Sequence, residues 1–273
     1  MKKILLINNK KFFNNHNIIS VDSIDNIPDF DSILFIGSHN RSIENLNYIN
    51  KYFNIISKKP YKYIILIGKS DGILNKNINI PNNIMYIYAN NINFDHNKIK
   101  FLPMGCDFRS ISSFSKANLY NNDKILCYCN FSLNTHPVRK EIYEIIKNKS
   151  FIKFENMQTF LNYSISRDEF FSQLGKSKFV ICPRGNAIDT FRFYDTLYSG
   201  AIPIVVREHF HKLHFFENKP ILYLENINEF RNLTEEFLNK KYDELIKYKE
   251  NNYLSLDFNI FINNLKQQLK KYK

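Results

Sequence analysis

Ser177 to Val206, S-K-F-V-I-C-P-R-G-N-A-I-D-T-F-R-F-Y-D-T-L-Y-S-G-A-I-P-I-V-V, is the stretch whose reading decides the fold. Phe179-Val180-Ile181-Cys182 is a short apolar run, the mark of a strand buried on both faces. Pro183, Gly185 and Asn186 interrupt it. Asp189 or Thr190 can cap a helix running to about Tyr198, and Ser199-Gly200 stop that helix. Ala201 to Val206 is a second apolar run. Two buried strands joined by one helix make a parallel, right-handed βαβ unit.

The chemistry lies at the join. A helix N-terminus after a glycine turn presents free N–H groups and the positive end of a dipole, which suits a phosphate. Arg184 sits in the loop and Arg192 one turn into the helix. Asp189, Arg192 and Asp195 recur every three residues and so form a slanting row on one helix face. An anion fits against Arg192 and the helix end, with Asp195 placed to accept from a ribose hydroxyl. The competing reading is a solvated Arg192–Asp195 pair. A helix between two buried strands, starting at a Pro-Arg-Gly turn, favours the site.

The pattern C-P-R-G-N-x-x-D-T-x-R-x-Y-D-x-L-x-x-G-x-I-P-I-V, Cys182 to Val205, resembles the nucleotide-sugar-binding segment of exostosin-type glycosyltransferases. That family shows a C-P-x-G turn, then Ser or Thr, Arg, an aromatic, an acid and G-x-I-P-V, and every slot is filled here. The resemblance is firm over Ser177 to Val206 and looser from about Lys124 to Asn226. It implies the GT-B arrangement, α/β with two Rossmann-like domains facing a cleft. It also implies sugar transfer from a nucleoside-diphosphate sugar, with a UDP-sugar and inversion favoured, to a hydroxyl of a glycan, glycoprotein or other acceptor. Animal exostosins carry a membrane anchor, and none is expected here.

At 273 residues the chain can form one large domain or two compact ones, and 44% hydrophobic residues supply real cores. The net charge of +12 reads as Lys spread over the surface, with a polyanionic substrate or an anionic membrane surface as the alternative. No zinc-finger spacing or nucleic-acid module accompanies it, so nucleic acid is not an expected partner. Cys106, Cys127, Cys129 and Cys182 read as small buried hydrophobes of a reducing compartment. Ile4 to Ile7 is too short for a signal peptide and no stretch approaches a membrane span. The expected location is cytoplasmic.

In chain order, apolar runs at Lys3–Ile7, Ile18–Val21, Ile33–Ile36, Tyr63–Ile67, Met85–Tyr88 and Lys100–Leu102 read as strands, with a helix over about Ser42–Phe53. They form an N-terminal Rossmann-like, acceptor-side domain over 1–118. The polar stretch Asp107–Asp123 is read as a crossover. The nucleotide-sugar-binding domain, 119–273, opens with a strand at Lys124–Cys129. A helix follows from Pro137 to about Lys147, with Arg139 in its first turn. A cation there opposes the helix dipole unless an anion sits beside it. Next come a strand at Phe151–Phe154, a capping box at Ser166–Glu169, the central βαβ unit, a strand at Ile221–Leu224 and mostly helix over Asn226–Lys249. The tail, Leu256–Lys273, is an amphipathic helix with a basic end. It suits packing back across the domains or, alternatively, peripheral membrane contact.

Transfer from a diphosphate needs charge stabilisation at the leaving group, a base at the acceptor hydroxyl, and exclusion of water. Arg139, Arg184, Arg192 and the amides near Gly185 and Asn186 can supply the first. No D-x-D motif appears in the strand-end loops, so no metal or other cofactor is expected. His209, His211 and His214 are spaced for a metal but lack acidic or Cys partners. Phe131 or Tyr194 are candidates for contact with the base ring. In the N-terminal half His39, Asp71 and Asp107 follow strands, and the general base stays open between His39 and Asp71. A dinucleotide oxidoreductase is disfavoured, because Asn8-Asn9-Lys10-Lys11 carries no G-x-G-x-x-G. A fucosyltransferase-like GDP-sugar enzyme shares the strand, helix and G-x-x-P plan, but would more typically show C-P-E-N and a Glu-Lys pair. A non-catalytic sugar- or nucleotide-binding protein of the same fold is the remaining alternative.

Overall fold

The computed structural model describes residues 17–21, 23–37, 46–68, 71–106, 125–155, 165–209, 219–248 and 258–271. The strand expected at Lys3–Ile7, the crossover at Asp107–Asp123, His39 and Asp107 lie outside the described residues. The chain divides into two compact units, one of Lys3–Gly105 with Asp257–Lys273, the other of Met1–Lys2 with Cys106–Leu256.

In the N-terminal unit, β1 (Ile19–Ser20), β2 (Ser32–Gly37), β3 (Tyr63–Gly68), β4 (Ile84–Ala89) and β5 (Ile99–Phe101) form a parallel sheet in sequential order. Every residue of β3 is buried, as a central parallel strand covered on both faces requires. One face packs on helix α1 (Leu46–Ile56) through Ile49, Tyr52, Phe53 and Ile56. This helix runs three residues past its expected end at Phe53, because Ile56 continues the apolar stripe and is fully buried.

The C-terminal unit holds β6 (Ile125–Cys129), α2 (Pro137–Ile146), β7 (Ile152–Phe154), α3 (Arg167–Lys176), β8 (Ser177–Ile181), α4 (Phe191–Tyr198), β9 (Ile202–Val206), β10 (Leu222–Leu224) and α5 (Glu235–Leu245). Its parallel sheet runs β10-β9-β8-β6-β7. Taken from β6 as first strand this is the order 2-1-3-4-5, with its switch point between β6 and β8. Cys127, Cys129, Phe179, Ile181, Ile204 and Val206 share one core with Val138 and Ile142 of α2 and Leu238 of α5. Strand alternation turns Tyr128, Val180 and Val205 to the other face, where α3 and α4 pack. The sheet is therefore doubly wound. Phe193 and Tyr194 are fully buried, each stabilising the unit by about 1.5–3 kcal/mol relative to exposure.

Two local features explain why the central βαβ unit forms. Gly200 adopts φ 82°, its N–H donating to the Leu197 carbonyl and that of Ala201 to the Thr196 carbonyl, so a Schellman turn ends α4 and aims the chain into β9. Pro203 lies inside an interior strand and donates no hydrogen bond. The Ile204 carbonyl accepts from Cys182 N at 2.9 Å, so Ile204 faces β8 and Pro203 faces β10. Pairing with β10 begins only at Ile204, and the missing donor costs nothing.

The region after Asn226 is less continuous than its composition suggests. A 3-10 turn, Ile227–Asn232, precedes α5, and Thr234 caps α5 by accepting from Phe237 N at 3.1 Å. The last helix, α6 (Phe258–Lys270), packs on β2 and β3 of the N-terminal unit, with Ile262 and Leu265 buried. The Tyr88 hydroxyl there donates to Gln268 Oε1 at 3.0 Å. Among the described residues no helix is long and apolar enough to cross a membrane.

Candidate functional site

The loops after β6 and β8 meet at the switch point, and Arg139 ties them together. It occupies the third position of α2, behind the His136 N-cap and Pro137. Its Nε donates to the Arg184 carbonyl at 2.8 Å and its Nη1 to the Ser132 carbonyl at 3.1 Å. The guanidinium lies 5.8 Å from the Phe131 ring centroid. Arg139 is only 7% exposed. Burial, and secondarily the charge of Arg192, push it down to about 9, the signature of a cation that lacks a compensating carboxylate. Arg184 is half-buried and curls onto its own turn, donating to the carbonyls of Gly185 and Asn186, each at 3.2 Å. Arg192 lies over the Phe170 ring at 5.3 Å, and its Nη1 reaches Asn130 Oδ1 at 3.4 Å. Among the described residues no carboxylate forms a salt bridge with Arg139, Arg184 or Arg192.

Gly185 is the tight point. A Cβ there would stand 3.2 Å from Arg139 Nη2 and 3.3 Å from Thr135 Cγ2, closer than neighbours tolerate without moving. Thr135 Oγ1 and Thr190 Oγ1 beside this turn, and Asn130 Nδ2 beside Arg192, are buried and make no hydrogen bond among the described residues. Such orphaned polar atoms are costly to bury.

The acids stand elsewhere than expected. Thr190 is extended, φ −135° and ψ 153°, so α4 begins at Phe191 and Asp189 falls outside the helix rather than on a row with Arg192 and Asp195. Thr190 occupies the N-cap position, but its hydroxyl makes no capping bond. Asp189 is fully buried and accepts the Tyr194 hydroxyl at 2.6 Å, pinning the turn to the helix. Asp195 is 3% exposed, on a helix whose Thr196 hydroxyl meets Cys182 Sγ at 3.4 Å. Phe131 and Tyr194, candidates for a base ring, are core side chains at 1% and 0% exposure. Asn186 is exposed at the tip of the turn. In the N-terminal unit Asp71 is exposed, three residues past β3.

Sequence reasoning missed His136, Asn130 and Glu155. His136 Nδ1 accepts from Val138 N at 3.3 Å, and burial with the charges of Arg184 and Arg139 holds it below its usual 6.5. The His-Pro pair is the signal that points to it, since Pro at the first helical position leaves the preceding residue as cap. The Tyr128 hydroxyl donates to Glu155 Oε2 at 2.6 Å, a contact no spacing rule shows. Among the described residues no group of three or more His, Cys, Asp or Glu gathers as a metal site. His211, His214 and the side chain of His209 lie outside that description. The four cysteines are buried thiols outside any disulfide.

Two parallel α/β sheets with helices on their faces define a fold also seen in a solved α1,3-fucosyltransferase. That similarity has a TM-score of 0.51 at 14% identity, over 92% of this chain and 80% of that one. No curated protein matches the sequence. Residues 108–271 match the RXYLT1 C-terminal domain, and the chain therefore belongs to that glycosyltransferase-related family. The match includes the whole switch-point site.

Proposed function

We propose that this chain moves a sugar from a nucleoside-diphosphate sugar to a hydroxyl acceptor and holds the diphosphate at the Gly185 turn. The observation that carries this reading is Arg139, a buried cation with no carboxylate partner among the described residues, flanked by Arg184 and Arg192 and by orphaned polar atoms. An anion bound here recovers the cost of burying that charge. As the bond to the sugar breaks, negative charge grows on the leaving diphosphate, and Arg139, already fixed to the Ser132 and Arg184 carbonyls, needs no reorganisation to meet it. The α2 and α4 N-termini add their dipoles. Arginine stays a donor fork without a cofactor, which supports transfer without a metal. The C-P-R-G-N turn supports an exostosin-like enzyme with a UDP-sugar donor and inversion over a GDP-sugar one. Asp71 and His39 are the candidate bases for the acceptor hydroxyl. The ribose role expected of Asp195 meets an obstacle, because the residue is only 3% exposed on a buried side of α4.

Thermal shift and hydrolysis with UDP-sugars, GDP-sugars and NAD on the full chain test the reading. UDP-sugars are expected to raise the melting temperature and to be hydrolysed slowly. Stabilisation by NAD alone, or by none of the ligands, overturns it.

A further inference from the structure

We propose that Glu155 is the carboxylate that accepts from a ribose hydroxyl of the bound nucleoside diphosphate, an inference that rests on the diphosphate site described above. Glu155 is the first residue past β7, and its N–H donates to the Cys129 carbonyl at 3.0 Å. That bond carries the β6–β7 pairing one step further and sets Glu155 at the carboxyl edge of the sheet, beside the strand whose following loop bears Asn130 and Ser132. Parallel sheets of this winding bind ligands along that edge. An acid at the end of the strand flanking the first is well placed to take a ribose hydroxyl while the phosphates sit on the helix that follows the first strand.

The side chain is prepared for that task. Tyr128, fully buried, donates its hydroxyl to Glu155 Oε2 at 2.6 Å, which fixes the carboxylate and occupies one oxygen. No hydrogen bond to the other oxygen is formed among the described residues, and Glu155 is half-buried, within reach of a ligand. The same tyrosine connects to the anion site. The Arg192 charge acts on it, and Asn130 adjoins it. Asn130 gives its Oδ1 to Arg192, and its Nδ2 is buried without hydrogen-bond geometry to any acceptor. Arg192 meets Asn130, and Tyr128, two residues earlier at the end of the same strand, holds Glu155, so the end of β6 links the arginine cluster to the carboxylate. Asp195, the acid the sequence favours for this role, lies on a buried side of α4 and is only 3% exposed.

The test is calorimetry on the full chain with UDP and GDP, each also in 2′-deoxy and 3′-deoxy form. The wild type is expected to bind a ribonucleotide about tenfold or more tightly than one of its deoxy forms, the loss of one hydrogen bond to a charged group. Glu155→Gln keeps an acceptor for Tyr128 and removes the charge, and should shrink that gap to about twofold or less. Asp195→Asn should leave the gap intact. Tyr128→Phe frees the carboxylate from its anchor and should narrow the gap without closing it. A Glu155→Gln protein that keeps the full gap overturns the inference, as does an Asp195→Asn protein that loses it. A wild type that binds UDP or GDP but ignores both hydroxyls overturns the inference alone. A wild type that binds no nucleotide overturns the diphosphate site as well.

Discussion

Replacing Arg192 by Ala separates the fold from the anion site, because the structural contacts of this side chain are weak. Its guanidinium over Phe170 at 5.3 Å stabilises by about 0.5–1 kcal/mol. The hydrogen bond to Asn130 Oδ1, long at 3.4 Å, adds about 0.5 kcal/mol. The variant should lose about 1–1.5 kcal/mol of stability, a fall of about 2–6 °C in Tm. A charged hydrogen bond to diphosphate contributes about 1.5–3 kcal/mol, so the Kd for UDP should rise about 10- to 150-fold. Transfer should fall further, because the charge on the leaving group grows in the transition state. Arg192→Lys keeps the charge without the planar fork and should recover only part of the affinity. Calorimetry with UDP, beside a thermal melt, reads both effects. A folded Arg192→Ala protein whose Kd changes less than threefold refutes the placement of the diphosphate.

His136 gives a pH prediction. Its folded pKa lies below the ordinary 6.5, so its stabilising contribution is present above that value and is lost as pH falls through the lower, folded one. Protonation also removes the Nδ1 lone pair that caps α2, an effect of about 1 kcal/mol. His136→Asn keeps an acceptor without titrating, and melts from pH 7.5 to 5 should show a shallower decline. An equal decline in both proteins contradicts the assignment. Gly185→Ala should displace Arg139 or Thr135, lowering stability by about 1–2 kcal/mol and weakening UDP severalfold, read by melts and calorimetry. Transfer should persist in excess EDTA. Abolition by EDTA with rescue by manganese or magnesium would direct attention to His209, His211 and His214.

The C-terminal architecture was legible because its signals are local. Apolar runs of strand length, the Pro-Arg-Gly turn, Pro137 at a helix start and Gly200 at a helix end each act within a few residues. Arg139 was legible for a related reason, since a cation in the first turn of a helix is electrostatically out of place. What spacing could not show was depth. Asp189, Arg192 and Asp195 look equivalent at intervals of three, yet one extended residue at Thr190 removes Asp189 from the helix, and Asp195 falls on a buried side of α4. Phe131 and Tyr194 were misplaced for the same reason, because an aromatic beside a loop fills a core as readily as it faces a ligand. The bond between Tyr128 and Glu155 joins residues 27 positions apart, and it forms only when β6 and β7 pair.

The role proposed for the switch-point arginines is to serve sugar transfer from a nucleoside diphosphate. Its most direct test is mass spectrometry of products formed by the full chain from a pool of UDP- and GDP-sugars with a mixture of hydroxyl acceptors. The account predicts an acceptor heavier by one glycosyl unit, with matching release of UDP, and neither product from an Arg139→Ala, Arg192→Ala double variant. Release of a nucleoside diphosphate that is undiminished in the double variant would contradict it.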